Sequence, residues 1–145
     1  MKKLTVFLGG TCGESTWRNK LLKKLNNKVE AFNPVVDNWT AECQAIEDEH
    51  KKNDDINLFV ITPESHSTYS LFEIGVEAVK NPKRTVVCFL DGENGFYFDN
   101  HTTKSITKIK KDLKDLNVEV YDNLNDLAFN LNNYAEYISS KKETL

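Results

Sequence analysis

The chain has 145 residues, 39% of them hydrophobic and 28% charged, with a formal net charge of −3 at pH 7. That length and balance suit one globular domain around one sizeable core. The slight acidity argues against a dedicated nucleic-acid binder, and the apolar runs fall far short of the roughly 20 residues of a membrane span, so neither nucleic acid nor membrane is expected as a partner.

In chain order, Leu4 to Leu8 reads as a buried strand. Ser15 to Leu25 follows as a helix, with Trp17, Leu21 and Leu25 on one stripe. Val29 to Phe32 is a short second strand, and Thr40 to about Lys52 a helix with a weak apolar face. Asn57 to Ile61 forms a third strand, stopped by Pro63 and a polar loop, before a helix over Tyr69 to Lys80. Thr85 to Leu90 is the fourth strand. The next helix keeps 3–4 spacing at Ile106, Ile109, Leu113 and Leu116, and Val118 to Tyr121 is a fifth strand. Leu124, Leu127, Leu131, Tyr134 and Ile138 mark the last helix, and residues 141–145 are expected to fray. Strands alternating with helices predict a single flavodoxin-like (Rossmann-like) α/β domain over residues 1–140. Its core is a parallel sheet of about five strands covered on both faces.

In such a sheet the loops after the first three strands open on one edge, where ligands bind. The first loop is GGTCGES, residues 9–15. Gly9 and Gly10 would let the backbone approach a ligand, and Ser15 or Thr16 could start a helix whose free amides bind an anion. Arg18 could reach back to that anion or be an ordinary surface arginine. The second loop is FNPVVDNW, residues 32–39, which offers Asn33 and Asp37. Trp39 could stack on a base or anchor the following helix. The third loop leads to Glu73, with Thr68 or Ser70 as the cap of its helix. Glu73 is expected in the first turn, where the helix dipole favours the ionised form and a positioned carboxylate can attack an electron-poor sugar carbon. Alternatively it only caps its helix.

Cys12, Cys43 and Cys88 are odd in number and lack metal-ligand spacing, and no signal-peptide pattern is present. A reducing cytoplasm is therefore expected, bacterial or that of a host if the chain is phage-encoded.

Taken together, FLGGT at 7–11 with STWR at 15–18, FNPVV at 32–36 with Asp37 and Trp39, Asp55 before FVITP at 59–63, and YSLFEIG at 69–75 resemble the nucleoside 2-deoxyribosyltransferase-like family. The likeness spans about residues 4 to 90. It implies a glutamate that attacks C1′ of a deoxynucleoside or deoxynucleotide, expels the base, and passes the sugar to a second base or to water. By match of motif Glu73 takes the nucleophile role, and Gly9, Gly10 and Thr11 form the sugar or phosphate loop. An acid must protonate the leaving base, with Asp37, Asp55 and Glu64 as candidates. Asp55 could equally cap the third strand. Where the family carries a tyrosine in the first strand this chain has Phe7, and Tyr69 is the nearest substitute. The loop at 64–69, ESHSTY, differs from the family's, which places an aspartate there to hold the sugar. Ser70 completes the expected substrate contacts. No metal or organic cofactor is expected, and the resemblance implies a homodimer or larger homo-oligomer. Phe129 and Tyr137 fall off the last helix's core stripe, where a partner could meet them. The alternative is a module that binds a nucleotide or nucleotide-derived signal without turnover.

Overall fold

The computed structural model describes residues 2–143. The strands are β1 (Leu4–Gly10), β2 (Val29–Phe32), β3 (Ile56–Ile61), β4 (Thr85–Phe89), β5 (Gly92–Glu93), β6 (Phe96–Tyr97) and β7 (Glu119–Tyr121). The helices are α1 (Trp17–Leu22), α2 (Ala41–Asn53), α3 (Thr68–Lys80), α4 (Asn100–Asp115) and α5 (Leu124–Glu143). Five parallel strands pair in the order β2-β1-β3-β4-β7, and β5 with β6 forms a separate antiparallel hairpin. This is the doubly wound α/β fold the strand–helix alternation predicts. The chain reverses its winding between β1 and β3, which opens a crevice at the carboxyl ends of those strands.

The central strands are apolar along their length because both sheet faces are covered. Every residue of β3 is buried. Leu4, Val6, Leu8, Leu58 and Val60 point toward Trp17 and Leu21 of α1 and toward Leu127, Leu131 and Ala135 of α5. On the other face Phe59, Ile61, Val87 and Phe89 pack on Ile74 and Ala78 of α3 and on Ile106 and Leu113 of α4. Helix α2 lies on this second face but has no buried residue. It is held by the Phe32 ring stacked on His50, centroids 3.8 Å apart, and by Thr40, whose hydroxyl accepts the Cys43 amide as an N-cap.

Several boundaries differ from the periodicity reading. Helix α1 ends at Leu22 instead of Leu25, in overlapping turns at Lys24 and Leu25. Leu116 follows α4 and is exposed, and Tyr134 stands out of the core while Ala128 and Ala135 fill the α5 stripe. The β5–β6 hairpin was not anticipated. It turns on Asn94 and Gly95, both at positive φ (53° and 83°), as a two-residue hairpin turn requires. Of the tail expected to fray, α5 continues through Glu143, and residues 144–145 lie outside the described residues. Among the described residues no helix is long and apolar enough to cross a membrane.

Candidate active site

A cleft of about 440 Å³ opens at the β1/β3 reversal. Phe7, Gly9 and Gly10 of β1 form its floor. One wall is the polar stripe Gln44, Glu47, Asp48 and Lys51 of α2; the other is Tyr69, Ser70 and Glu73 of α3. Cys12, Arg18, Pro34, His66 and Ser67 complete the rim. The volume lies in the usual range for small-molecule sites. The α2 stripe follows the 3–4 spacing of one helix face, so four polar side chains look at the sheet together.

Glu73 is the centre of the charge arrangement. Lys51 Nζ donates to Glu73 Oε2 at 2.7 Å, with both side chains mostly covered (27% and 18% exposed). The same ammonium lies 5.5 Å above the Phe7 ring. Burial works against the Lys51 charge, but the hydrogen bond and charge of Glu73 outweigh it, and the Lys51 pKa is raised. The first-turn expectation for Glu73 is corrected here. Helix α3 starts at Thr68 after Ser67 as N-cap, so Glu73 sits in the second turn. A lysine from the neighbouring helix, instead of the helix terminus, is its positive partner.

The other expected residues divide into those the cleft gathers and those it does not. Gly9, Gly10, Arg18, Tyr69, Ser70 and Glu73 all line it. Tyr69 is exposed and tilted against Phe72, which leaves a ring face at the mouth. Thr11 is buried just behind, its hydroxyl 2.6 Å from the Ser67 hydroxyl and accepting the Thr62 amide. Asp55 is at the opposite edge of the sheet. It accepts the Thr5 amide at 3.0 Å and pairs with Lys2, so it ties β1 to the start of β3 and takes the capping role. Asn33 closes a local turn onto the Val35 amide, and Asp37 is exposed beyond the cleft. Trp39 is 57% exposed, neither core anchor nor cleft lining, and its indole N–H donates to Glu47. Glu64 lines a neighbouring cavity between α3, the hairpin and α4, and its Oε2 is buried with no partner.

The first loop also differs in role. Its amides were expected to bind an anion from outside, but Glu93 takes one of them, the Thr16 amide at 3.2 Å, and also accepts from Ser15 Oγ at 2.7 Å. Arg18 is buried, stacks on Trp17, and donates to the carbonyls of Leu8, Gly10 and Thr11. Burial lowers its pKa, with Cys12 and Glu47 opposing the shift. It braces the end of β1 with little left to offer a ligand. Gly10 (φ +118°) is a glycine because of the sheet: a Cβ there would stand 2.1 Å from the Val60 carbonyl oxygen.

Four residues that shape the site were missed in the sequence: Glu47, Asp48, Lys51 and Glu93. The first three carried a usable signal. A helix that must cover a sheet face yet lacks an apolar stripe presents polar groups to whatever lies between. Glu93 sits beside Asn94-Gly95, a strong hairpin signal, but its partners are 31 and 78 residues away in the chain. Among the described residues no cluster of three His, Cys, Asp or Glu side chains could hold a metal ion.

A family model described as nucleoside 2-deoxyribosyltransferase like matches residues 3–92, more than half of the chain. That span contains all three loops and the whole cleft lining. No protein with a curated description matches the chain.

Proposed function

The chain belongs to the nucleoside 2-deoxyribosyltransferase-like family, and from that premise we propose that it cleaves or transfers the N-glycosidic bond of a deoxynucleoside or deoxynucleotide. One observation carries the reading: Glu73, on the wall of a nucleoside-sized cleft at the strand reversal, is paired with Lys51 and oriented by it. Glu73 attacks C1′, the C1′–N bond breaks, and its electron pair leaves with the base. A proton reaches the departing nitrogen from an acid in the cleft. The carboxyls of the α2 wall, Glu47 and Asp48, are the candidates, because they line the same cleft as Glu73. Water or a second base then attacks C1′ of the glycosyl ester and restores the Glu73 carboxylate. The exposed face of Tyr69 supports the leaving base. The three free thiols suit a reducing cytoplasm.

The same ion pair favours a second reading, a binding module, because a carboxylate already bound to an ammonium is a weaker nucleophile. Incubation with a panel of deoxynucleosides and their 5′-monophosphates, followed by chromatography for free base, separates the two. Base is expected from wild type, and Glu73→Gln is expected to lose several powers of ten in rate. Release of base by Glu73→Gln at the wild-type rate would exclude the covalent route.

A further inference from the structure

The β5–β6 hairpin reaches two of the loops that frame the cleft, and it does so through one side chain. Glu93, one residue beyond the family-matched span, is only 7% exposed. Its Oε2 accepts the Thr16 amide at 3.2 Å, and its Oε1 accepts the Ser15 hydroxyl at 2.7 Å and the Thr62 hydroxyl at 2.8 Å. Ser15 and Thr16 close the first loop, and Thr62 opens the third. The tight turn at Asn94-Gly95 pairs Glu93 with Phe96 and so sets where its side chain starts. The Tyr97 ring packs on Gly92, where an added Cβ would stand 2.6 Å from it.

From Thr62 the contacts run to the wall that carries Glu73. The Thr62 hydroxyl also accepts the Glu64 amide at 3.2 Å, and the Thr62 amide donates to the Thr11 hydroxyl at 2.9 Å. The Thr11 and Ser67 hydroxyls lie 2.6 Å apart. Ser67 lines the cleft and is the N-cap residue of α3, yet its side chain makes no capping bond. Its hydroxyl meets Thr11 instead, which ties the start of α3 to the first loop. Glu73 stands in the second turn of that helix. From Thr16 the other branch leads into α1, where Trp17 and Arg18 both donate to the Thr11 carbonyl. The two branches meet at Thr11. A shift of about 1 Å in a reacting group can cost on the order of 100-fold in rate, so such ties matter to the chemistry.

We infer that Glu93 is a positioning residue for the cleft: through Thr62, Thr11 and Ser67 it sets the start of α3, and with it the place of Glu73 relative to the β1 floor. The inference rests on the glycosidic reading of the cleft. It extends the working unit past the family-matched span to the hairpin.

The test measures kcat and KM for base release, together with amide hydrogen exchange, in Glu93→Gln, Thr62→Val and Thr62→Ser. Glu93→Gln keeps the side-chain shape but turns an NH2 group among the loop donors. Thr62→Val keeps the volume and removes the link. In both, kcat should fall by about tenfold or more, with KM within about threefold of wild type. Thr62→Ser returns the hydroxyl and should bring kcat back to within about threefold of wild type. The Leu71 amide, which donates to the Ser67 carbonyl, should exchange faster in the first two variants, by about tenfold more than the Leu131 amide of α5 does. A merely structural Glu93 would speed both amides alike and leave the kcat of the folded protein unchanged. A smaller loss of kcat in either variant, no recovery in Thr62→Ser, or equal acceleration of the two amides overturns the inference. If wild type releases no base, the glycosidic reading fails and the exchange comparison alone decides the positioning. If Glu93→Gln does not fold, the two Thr62 variants decide it.

Discussion

Replacing Gly10 by alanine separates a sheet requirement from a ligand requirement. The added Cβ would meet three backbone atoms of Val60, the oxygen at 2.1 Å, the nitrogen at 2.6 Å and the carbonyl carbon at 2.8 Å. None belongs to a flexible side chain, so β1 must move away from β3, the pair at the centre of the sheet. Holding a non-glycine residue at φ +118° adds strain of about 1–3 kcal/mol. Forcing atoms into a packed interior adds a further ~1–3 kcal/mol. A loss of roughly 4 kcal/mol would consume much of a typical domain stability of about 5–15 kcal/mol. With a urea slope of about 2 kcal/mol/M, the unfolding midpoint should fall by about 2 M. Gly75→Ala is the matched control. It lies inside α3, where a Cβ would meet nothing within 4 Å, so alanine should stabilise by about 0.5–1 kcal/mol. Urea unfolding followed by circular dichroism measures both. A Gly10→Ala midpoint within 0.3 M of wild type, on the order of 0.6 kcal/mol at that slope, would refute the steric reasoning and return Gly10 to a ligand role.

Lys51→Met keeps the length of the side chain but removes the partner of Glu73, and kcat/KM for base release should fall by about two powers of ten. A variant as active as wild type would show that the ion pair does not position the carboxylate. Burial pushes the Cys88 thiol up to about 12, so a disulfide reagent at pH 8 should label exposed Cys12 in the native protein and Cys88 only after unfolding. Asp99 caps α4 by accepting the Thr102 amide, which lowers its pKa. Its stabilising contribution is therefore present above the ordinary aspartate range and is lost as pH falls through the lowered value. Thermal melts between pH 6 and 2 (bracketing the ordinary aspartate pKa of about 3.9) should show a shallower acid loss in Asp99→Ala than in wild type. Phe129 and Tyr137 are 66% and 58% exposed on α5, and we expect the chain to self-associate. A monomer mass at about 50 μM in sedimentation, far above the micromolar Kd of a weak complex, would defeat that expectation.

The architecture was legible because the signals that specify it are local. A strand covered on both faces must be nearly all apolar, and residues 58–61 read that way before any fold is known. Proline and the polar loop after it mark where β3 stops, and strand–helix alternation then leaves a parallel sheet with its loops on one edge. Glu73 was legible through its motif and its place after β3. Its partner was not, because Lys51 is 22 residues away on a helix whose sequence shows only weak amphipathicity. Asp55 and Glu73 stand on opposite edges of the sheet, since a parallel strand carries its two flanking residues to opposite ends. Glycine at position 10 is visible in the sequence, but whether it yields to a ligand or to a neighbouring strand depends on the β1–β3 register. The Ser15 hydroxyl and the Thr16 amide look free to bind an anion until the chain, 77 residues after Thr16, brings Glu93 back to them. Composition and periodicity determine which segments must be buried. Which polar groups meet is decided by the tertiary structure, because hydrogen bonds and ion pairs act over a few ångströms in space and carry no record of separation along the chain.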